Sequence, residues 1–260
     1  MVLEFDYQMK ISYAKPVEKC HFTIKCIPMN TERQRLLDKQ IQMSPLSDFS
    51  YGQDSFGNKK IYGCVKEEHD TFLFQIQGHV DVNDLEYEEI ADMSQIGMYK
   101  YPCGLCVPDK EMEEYLHSID FSGCGNDLTK SIKIMNKLYA DYMYVPLTTN
   151  VHTKASEAFS LGMGVCQDYA HIFICLSRLA GIPCRYVCGL IIGQGKSHAW
   201  VEVLHKGKWV GLDPTNNCFI NKKYIKVGHG LDASSCSINR GIVLGGGLQN
   251  QEIQARVVQQ

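Results

Sequence analysis

The sequence has no run of apolar residues long enough to cross a membrane, which takes about 18 in succession. Its first ten residues, MVLEFDYQMK, carry two acids and no apolar segment, so no export signal is expected there. Positive charge is also scarce, since 26 lysines and arginines against 29 aspartates and glutamates give a formal net charge of -3. These absences argue against membrane and nucleic-acid partners and predict a cytoplasmic protein.

Cysteine, by contrast, is abundant, with 12 residues in a chain of 260. A chain of this length buries an adequate core without disulfides, and the cytoplasm is reducing, so free thiols are expected. Metal-ligand patterns are incomplete: Cys103 and Cys106 form one C-x-x-C without a second, and Cys124 is the one candidate for a third zinc ligand. We therefore predict neither a metal nor a cofactor, and the missing D-x-D-x-D-G pattern argues against a calcium site.

Hydrophobic periodicity predicts an α+β protein. Residues 1–82 contain short alternating runs such as LEFDYQMKISY and TFLFQIQGHVDV, which indicate a small antiparallel β domain. Residues 83–107 are interrupted by proline and glycine and are predicted to connect it to a second domain, 108–260. Helices are expected at 109–119, after a cap at Asp127, after a cap at Thr153, and at 166–180. The last of these is apolar on nearly every side and should be central and buried.

A hairpin is predicted after this helix, because HAWVEVL and KWVGLDP flank the short turn HKG. With His205-Lys206 as a two-residue loop, His198 lies opposite Asp213, with the Cβ atoms about 5 Å apart. A register shift of two would leave them diagonal neighbours on the same face. The spacing thus predicts an oriented imidazole–carboxylate pair. A glycine-rich loop at 240–248 and a final strand at 252–258 should complete the chain.

Such a pair needs a nucleophile, and Cys166 is the one cysteine predicted at a helix amino terminus. Unpaired amides and the positive end of the helix dipole favour a thiolate there and can hold an oxyanion. Other cysteines, such as Cys175 and Cys184, read as core positions. We therefore predict that Cys166, His198 and Asp213 form a catalytic triad, on the expectation that the helix end abuts the hairpin.

These stretches resemble a known family. GMGVCQDYAHIFICLSRLAGIPCRYVCGL, HAWVEV and GKWVGLDPTNN, in that order, are similar to the transglutaminase-like core of the papain-like cysteine enzyme superfamily. The β-rich start, with DSFGN and VDV, resembles the N-terminal domain of bacterial members. The resemblance implies a β-sandwich-like domain followed by a papain-like core whose central helix packs on an antiparallel sheet. It assigns nucleophile, general base and acid, and orienting carboxylate to Cys166, His198 and Asp213.

The resemblance implies a cysteine-dependent hydrolase of peptide or protein amides that acts through a thioester. Transfer to an amine, as in a transamidase or acyltransferase, and a non-catalytic peptide-binding module are the alternatives. Where bacterial members usually continue GHGRDY, this chain reads GHGLDASS, which mildly favours the binding module.

Nearby residues have simpler interpretations. Gln167 and Asp168 are interpreted as structural or as supporting the catalytic residues from behind, since an added negative charge would oppose a thiolate. His171 is expected to be packed in the core. GQGKS at 193–197 lacks the first glycine of a phosphate-binding loop and is interpreted as the segment that delivers His198.

Overall fold

The computed structural model of the chain describes residues 1–83 and 89–260. Its strands are β1 (Val2–Ile24), β2 (Gln34–Ser44), β3 (Phe49–Gln53), β4 (Lys59–Val65), β5 (His69–Val82), β6 (Glu89–Ile90), β7 (Met143–Tyr144), β8 (Met163–Gly164), β9 (Cys184–Ile191), β10 (Gly193–Gly195), β11 (His198–His205), β12 (Lys208–Asp213), β13 (Cys218–Phe219), β14 (Tyr224–Gly230), β15 (Asn239–Gly245) and β16 (Gln249–Gln259). Its helices are a 3₁₀ helix (Met93–Tyr99), α1 (Lys110–His117), α2 (Asp127–Asp141), α3 (Ala155–Leu161) and α4 (Cys166–Leu179). None of the helices within those described ranges has both the length and the apolar character needed to span a bilayer.

The first sheet is organised by β1, which is 23 residues long. Its first part pairs with β5 on one side and β16 on the other, and its second part pairs with β4 and β15. The pairing with β5 shifts register between Ser12 and Val17, so the strand can serve two parts of the sheet. Alternate β1 residues are buried against one shared core, as the period-two pattern predicted.

The end of the chain returns to this first sheet. β16 pairs with β1 from Leu3 to Tyr13, and β15 pairs with it from Val17 to Ile24. The sequence division into 1–82 and 108–260 placed these two strands with the second domain, whereas their hydrogen-bond partners lie in the first sheet. Part of the predicted glycine-rich loop at 240–248 is therefore strand. Within 240–248, the positive φ angles that suit a glycine turn occur at Gly245, Gly246 and Gly247.

The second sheet has the order β13-β12-β11-β9-β14 and is antiparallel, with β6 paired to β12. Helix α4 packs on β9 and β11, and every residue from Asp168 to Arg178 is buried. The other three α helices pack around α4. The structure thus confirms the predicted α+β class, with a central helix on an antiparallel sheet.

The hairpin of β11 and β12 is present, but its turn is one residue later than predicted. Val201 pairs with Leu212 and His205 with Lys208, which leaves Lys206 and Gly207 as the two-residue loop. Both have positive φ, 50° and 75°, as a type I′ turn requires. The register shift is two residues, so His198 and Asp213 are diagonal rather than directly opposite and keep the same face.

Two helix caps also differ from the predictions. Asn126 rather than Asp127 caps α2 and accepts from the Thr129 amide at 3.0 Å. Helix α3 begins at Ala155, after Lys154, and Thr153 instead accepts from the Asn150 amide. In the first case the cap is the acceptor side chain of the preceding residue, Asn126. Both observed helix starts lie within one turn of the predicted ones.

Two buried amide side chains join the sheets. Asn58, at the end of the DSFGN turn, accepts from the His229 amide at 2.8 Å and donates to the His229 carbonyl at 2.7 Å. Gln34 makes the same paired contact with the backbone of Lys226, at 2.7 and 2.8 Å. Both therefore hold β14, and with it the edge of the second sheet, against the β-sandwich-like unit.

Replacing Asn58 with alanine should lower the free energy of unfolding by about 2–3 kcal/mol, because the buried amide and carbonyl of His229 lose their partners. Urea unfolding followed by circular dichroism measures this. Asn250→Ala, at an exposed asparagine, is the matched control and should change stability by less than about 0.5 kcal/mol. Equal effects of the two substitutions would show that the Asn58 contacts do not stabilise the junction.

Candidate active site

Cys166 is the first residue of α4, and its side chain is half-buried. Val165 before it is extended, and its amide donates to Asp168 Oδ2 at 2.8 Å. Asp168 also accepts from the Thr149 hydroxyl at 2.6 Å. Gly164 is required here, since a Cβ on it would lie 2.5 Å from Asp168 Oδ2. Asp168 thus ties the segment before α4 and the 149 loop to the helix start, which is the structural role predicted for it.

His198 begins β11 and Asp213 ends β12, so the hairpin register sets their distance. His198 Nε2 lies 2.7 Å from Asp213 Oδ2. The Cys166 thiol lies in the same cavity lining as the imidazole and is one of the groups that raise the pKa of His198. The structure therefore brings the three predicted residues together in the order thiol, imidazole, carboxylate.

The Asp213 carboxylate is fully buried and receives further donors that the sequence interpretation missed. Oδ1 accepts from the amides of Thr215 and Asn216, at 2.9 and 3.2 Å. Oδ2 accepts from Asn216 Nδ2 at 2.7 Å and from the Tyr224 hydroxyl at 2.9 Å. The D-P-T-N stretch itself signals the two local amides, since an aspartate commonly accepts from the backbone two residues on. No local signal identifies Tyr224, which comes from β14.

Two aromatic side chains, Trp200 and Tyr224, pack beside the His198 imidazole. Trp200 is fully buried, with its ring inclined by 29° to that of His198 at a centroid distance of 6.4 Å. Tyr224 packs edge-on against Trp200 at 5.5 Å. Gly189, directly opposite His198 on β9, gives Trp200 its room, because a Cβ there would lie 2.3 Å from the indole. The tryptophan of the H-A-W motif thus fixes the ring beside it.

The pKa values of His198 and Asp213 are shifted in opposite directions, in each case against the effect of burial. Burial alone would lower the pKa of His198, but hydrogen bonds to Asp213 and Cys166 outweigh it and raise the pKa to about 10. Burial alone would raise the pKa of Asp213, but its bonds to His198, Asn216 and Tyr224 lower it. The pair is therefore an imidazolium and a carboxylate at neutral pH.

Two cavities adjoin each other beside the amino end of α4, and the first of them contains the triad cysteine and histidine. The first, called here the Cys166 cavity, has a volume of about 590 Å³ and is lined by Cys166, His198 and Tyr144 among others. The second, the Arg240 cavity, has a volume of about 630 Å³ and extends to Arg240 and Gln251 of the returning strands. Both share a stretch of lining formed by Gln167, Tyr186, Cys188, Lys196 and Ser197. Together they form a groove that passes over the amino end of α4.

The first sheet contributes directly to this groove. β10, inside the GQGKS stretch, pairs with β16 from Ala255 to Val257. The segment then leads into β11 and His198, rather than into the helix that a phosphate-binding loop requires. Ala255 itself lines the Cys166 cavity. The loop that delivers His198 is therefore held by the C-terminal strand.

His171 is packed as predicted. It is fully buried, and its Nε2 accepts from the Ala233 amide at 3.0 Å, while burial lowers its pKa to about 4.

The altered GHGLDASS segment is held by hydrogen bonds to Asp232. Asp232 accepts from the amide of Leu105, in the connector, and from Ser234 and Ser235. Its pKa is lowered because these donors outweigh burial.

The connector cysteines lie on a tight turn away from the triad. Cys103 and Cys106 pair across an isolated bridge, and the Cys106 amide donates to the Cys103 carbonyl at 3.0 Å. The turn docks on Asp232, because a Cβ on Gly104 would lie 2.2 Å from that carboxylate. Within residues 1–83 and 89–260, no three metal-ligating side chains gather at one point, with or without Cys124.

Comparison with known proteins agrees with this architecture. The transglutaminase-like superfamily core matches residues 118–214, which include all three triad residues, and the bacterial transglutaminase-like N-terminal region matches residues 3–81. The chain belongs to the transglutaminase-like superfamily. A crystal structure from Cytophaga hutchinsonii, of a protein provisionally described as a cysteine protease, matches this superfamily member with a TM-score of 0.79 over 100% of this chain and 92% of that one. Its sequence is 22% identical, so the likeness shows the shared fold.

Mycobacterial relatives extend the comparison to sequence. An uncharacterized protein of Mycobacterium tuberculosis is 26% identical over 267 residues, which cover 83% of this transglutaminase-like chain and 79% of the relative. An uncharacterized protein of Mycobacterium leprae is 36% identical over 124 residues, 44% of each chain.

The raised pKa of His198 gives a direct prediction. Imidazole resonances in a nuclear magnetic resonance titration should show His198 protonated through neutral pH and titrating near pH 10. In Asp213→Asn the carboxylate partner is lost and burial remains, so the pKa should fall by several units. His198→Gln identifies the resonance among the nine histidines. A wild-type pKa in the ordinary range of about 6.5 would contradict the assignment.

The same shift has a consequence for stability. The folded-state pKa lies above the unfolded value, so the contribution of His198 is complete below about pH 6.5 and is lost as the pH rises through about 10. For Asp213, with a lowered pKa, the contribution is present above the unfolded carboxyl pKa and is lost on acidification.

Proposed function

We propose that this protein is a cysteine-dependent hydrolase of peptide or protein amides. Cys166 is the nucleophile, His198 the general base and acid, and Asp213 the orienting carboxylate. The observation that carries the proposal is the hydrogen bond between the His198 imidazole and the buried Asp213 carboxylate, with Cys166, at the amino end of a buried helix, lining the same cavity as His198.

The reaction proceeds in two halves. In the resting site the Cys166 proton is already held by His198 as a thiolate–imidazolium ion pair, and the thiolate attacks the amide carbonyl to form a tetrahedral intermediate. The Cys166 amide, at the start of α4 where helices leave amides unpaired, donates to the oxyanion. The His198 imidazolium then protonates the leaving amine, and a thioester remains on sulfur.

The second half returns the enzyme to its starting state. His198, now neutral, takes a proton from water, which attacks the thioester and releases the acid. Asp213 holds the ring in the tautomer that both halves require and stabilises its cationic form. Transfer to an amine in place of water would give the transamidase or acyltransferase alternative with the same residues.

The shape of the groove supports a polypeptide substrate. The Cys166 cavity, of about 590 Å³, adjoins the Arg240 cavity, of about 630 Å³, and the combined volume exceeds the usual upper size of a small-molecule site, about 1,000 Å³. A cytoplasmic setting is also part of the proposal. It is supported by the 12 cysteines, which are all free.

Turnover of a mixed panel of internally quenched peptides tests the function. Cys166→Ala should lower kcat/KM by roughly 10⁴-fold or more, and Asp213→Asn by about 10²- to 10⁴-fold, because the tautomer and the imidazolium lose their support. Cys124→Ala, at a half-buried cysteine with no part in the triad, should leave kcat/KM unchanged. Full activity in Cys166→Ala would contradict the proposal.

Alkylation provides a second, substrate-free test. Burial raises the pKa of most other thiols, including Cys26, Cys106, Cys184 and Cys188, whereas Cys166 is half-buried and contacts an imidazole. Iodoacetamide near neutral pH should therefore modify Cys166 first, as peptide mapping by mass spectrometry will show. His198→Gln should slow that reaction selectively. Labelling spread evenly over the cysteines would oppose a nucleophilic role.

A further inference from the structure

The charge of the groove is unlike that of the chain. Although acids outnumber bases overall, no aspartate or glutamate among the described residues lines either the Cys166 cavity or the Arg240 cavity. Lys196 lines both cavities, and Arg240 and His152 line the second. The substrate path therefore carries cationic side chains without anionic ones.

These basic side chains are available to a ligand. Lys196 and Arg240 are exposed, and neither has a carboxylate within ion-pair distance in the described part of the chain. Arg240 is oriented by a hydrogen bond from its guanidinium to the Ser234 carbonyl. Lys196 lies two residues before His198, so a group bound to it is close to the reacting atoms.

Two buried acids of the neighbouring segments, Asp168 and Asp232, do not neutralise this path. Asp168 is fully buried and accepts from the Val165 amide and the Thr149 hydroxyl. Asp232 is buried as well, and its oxygens accept from the connector and from its own turn. A peptide lying in the groove would exclude water around Lys196 and Arg240, which strengthens their attraction for an anion.

We propose that the Arg240 cavity binds a carboxylate-bearing segment of the substrate, so that the enzyme selects acidic peptides. This inference rests on the proposed function, whose substrate class it narrows. Lys196 and Arg240 are the specificity-determining residues, and the carboxylate can be an aspartate or glutamate side chain or the carboxyl terminus of the peptide.

Binding to the Cys166→Ala protein tests this without turnover. Fluorescence anisotropy should compare one peptide rich in glutamate, the same peptide with glutamine, and the glutamine peptide with a free or amidated carboxyl terminus. The glutamate peptide should bind about tenfold or more tightly than its amidated glutamine counterpart, with a difference that shrinks as salt is added. A preference only for the free terminus would assign the cavity to a terminal carboxylate.

Matched variants locate the effect. Lys196→Gln and Arg240→Gln should each reduce the preference by about fivefold, while Lys66→Gln, at an exposed lysine outside both cavities, should not change it. Equal affinity for the acidic and neutral peptides would overturn the inference, as would tighter binding of a single-stranded oligonucleotide.

Turnover by the wild-type protein separates this inference from the function on which it rests. A higher kcat/KM for glutamate than for glutamine peptides, lost in Arg240→Gln, supports both. Acidic preference in binding without any cleavage would support the cavity assignment and contradict the hydrolase. Cleavage without a charge preference would support the hydrolase and contradict the cavity assignment.

Discussion

The hydrogen bond between His198 and Asp213 is the interaction on which the site depends. The Asp213 carboxylate is buried, with backbone amide donors on one oxygen and a side-chain amide and a hydroxyl donor on the other, so its orientation is fixed and these donors keep it charged. It therefore holds the imidazole in one orientation and in its cationic form. Because the thiol contacts the same ring, the position of one carboxylate determines the chemistry available to Cys166.

The β-sandwich-like unit is part of this site rather than an appendage to it. Its C-terminal strand β16 pairs with β10, which carries the chain into His198, and residues of β15 and β16 line the Arg240 cavity. Asn58 and Gln34 hold β14, the strand that supplies Tyr224 to Asp213. Loss of the junction would therefore disturb both the substrate groove and the support of the carboxylate.

Sequence reasoning succeeded where local patterns carry the information. A buried helix beginning at Cys166 and a hairpin that places His198 and Asp213 on one face both follow from periodicity and turn chemistry, and the error in turn position was tolerated because a shift of two residues preserves the face. It failed where distant segments meet. No local pattern in 239–259 predicts that these residues pair with β1. Tyr224 reaches Asp213 because β14 pairs with β9, which no local pattern predicts either.

Trapping of the acyl-enzyme is the measurement that tests the account most directly. After rapid acid quench of a reaction with an acidic peptide that carries an activated ester, intact-protein mass spectrometry should show one added acyl group, and fragment mapping should place it on Cys166 as a thioester sensitive to hydroxylamine. The adduct should be absent from Cys166→Ala. An acyl group on another residue, or peptide cleavage that persists in that variant, would contradict the account.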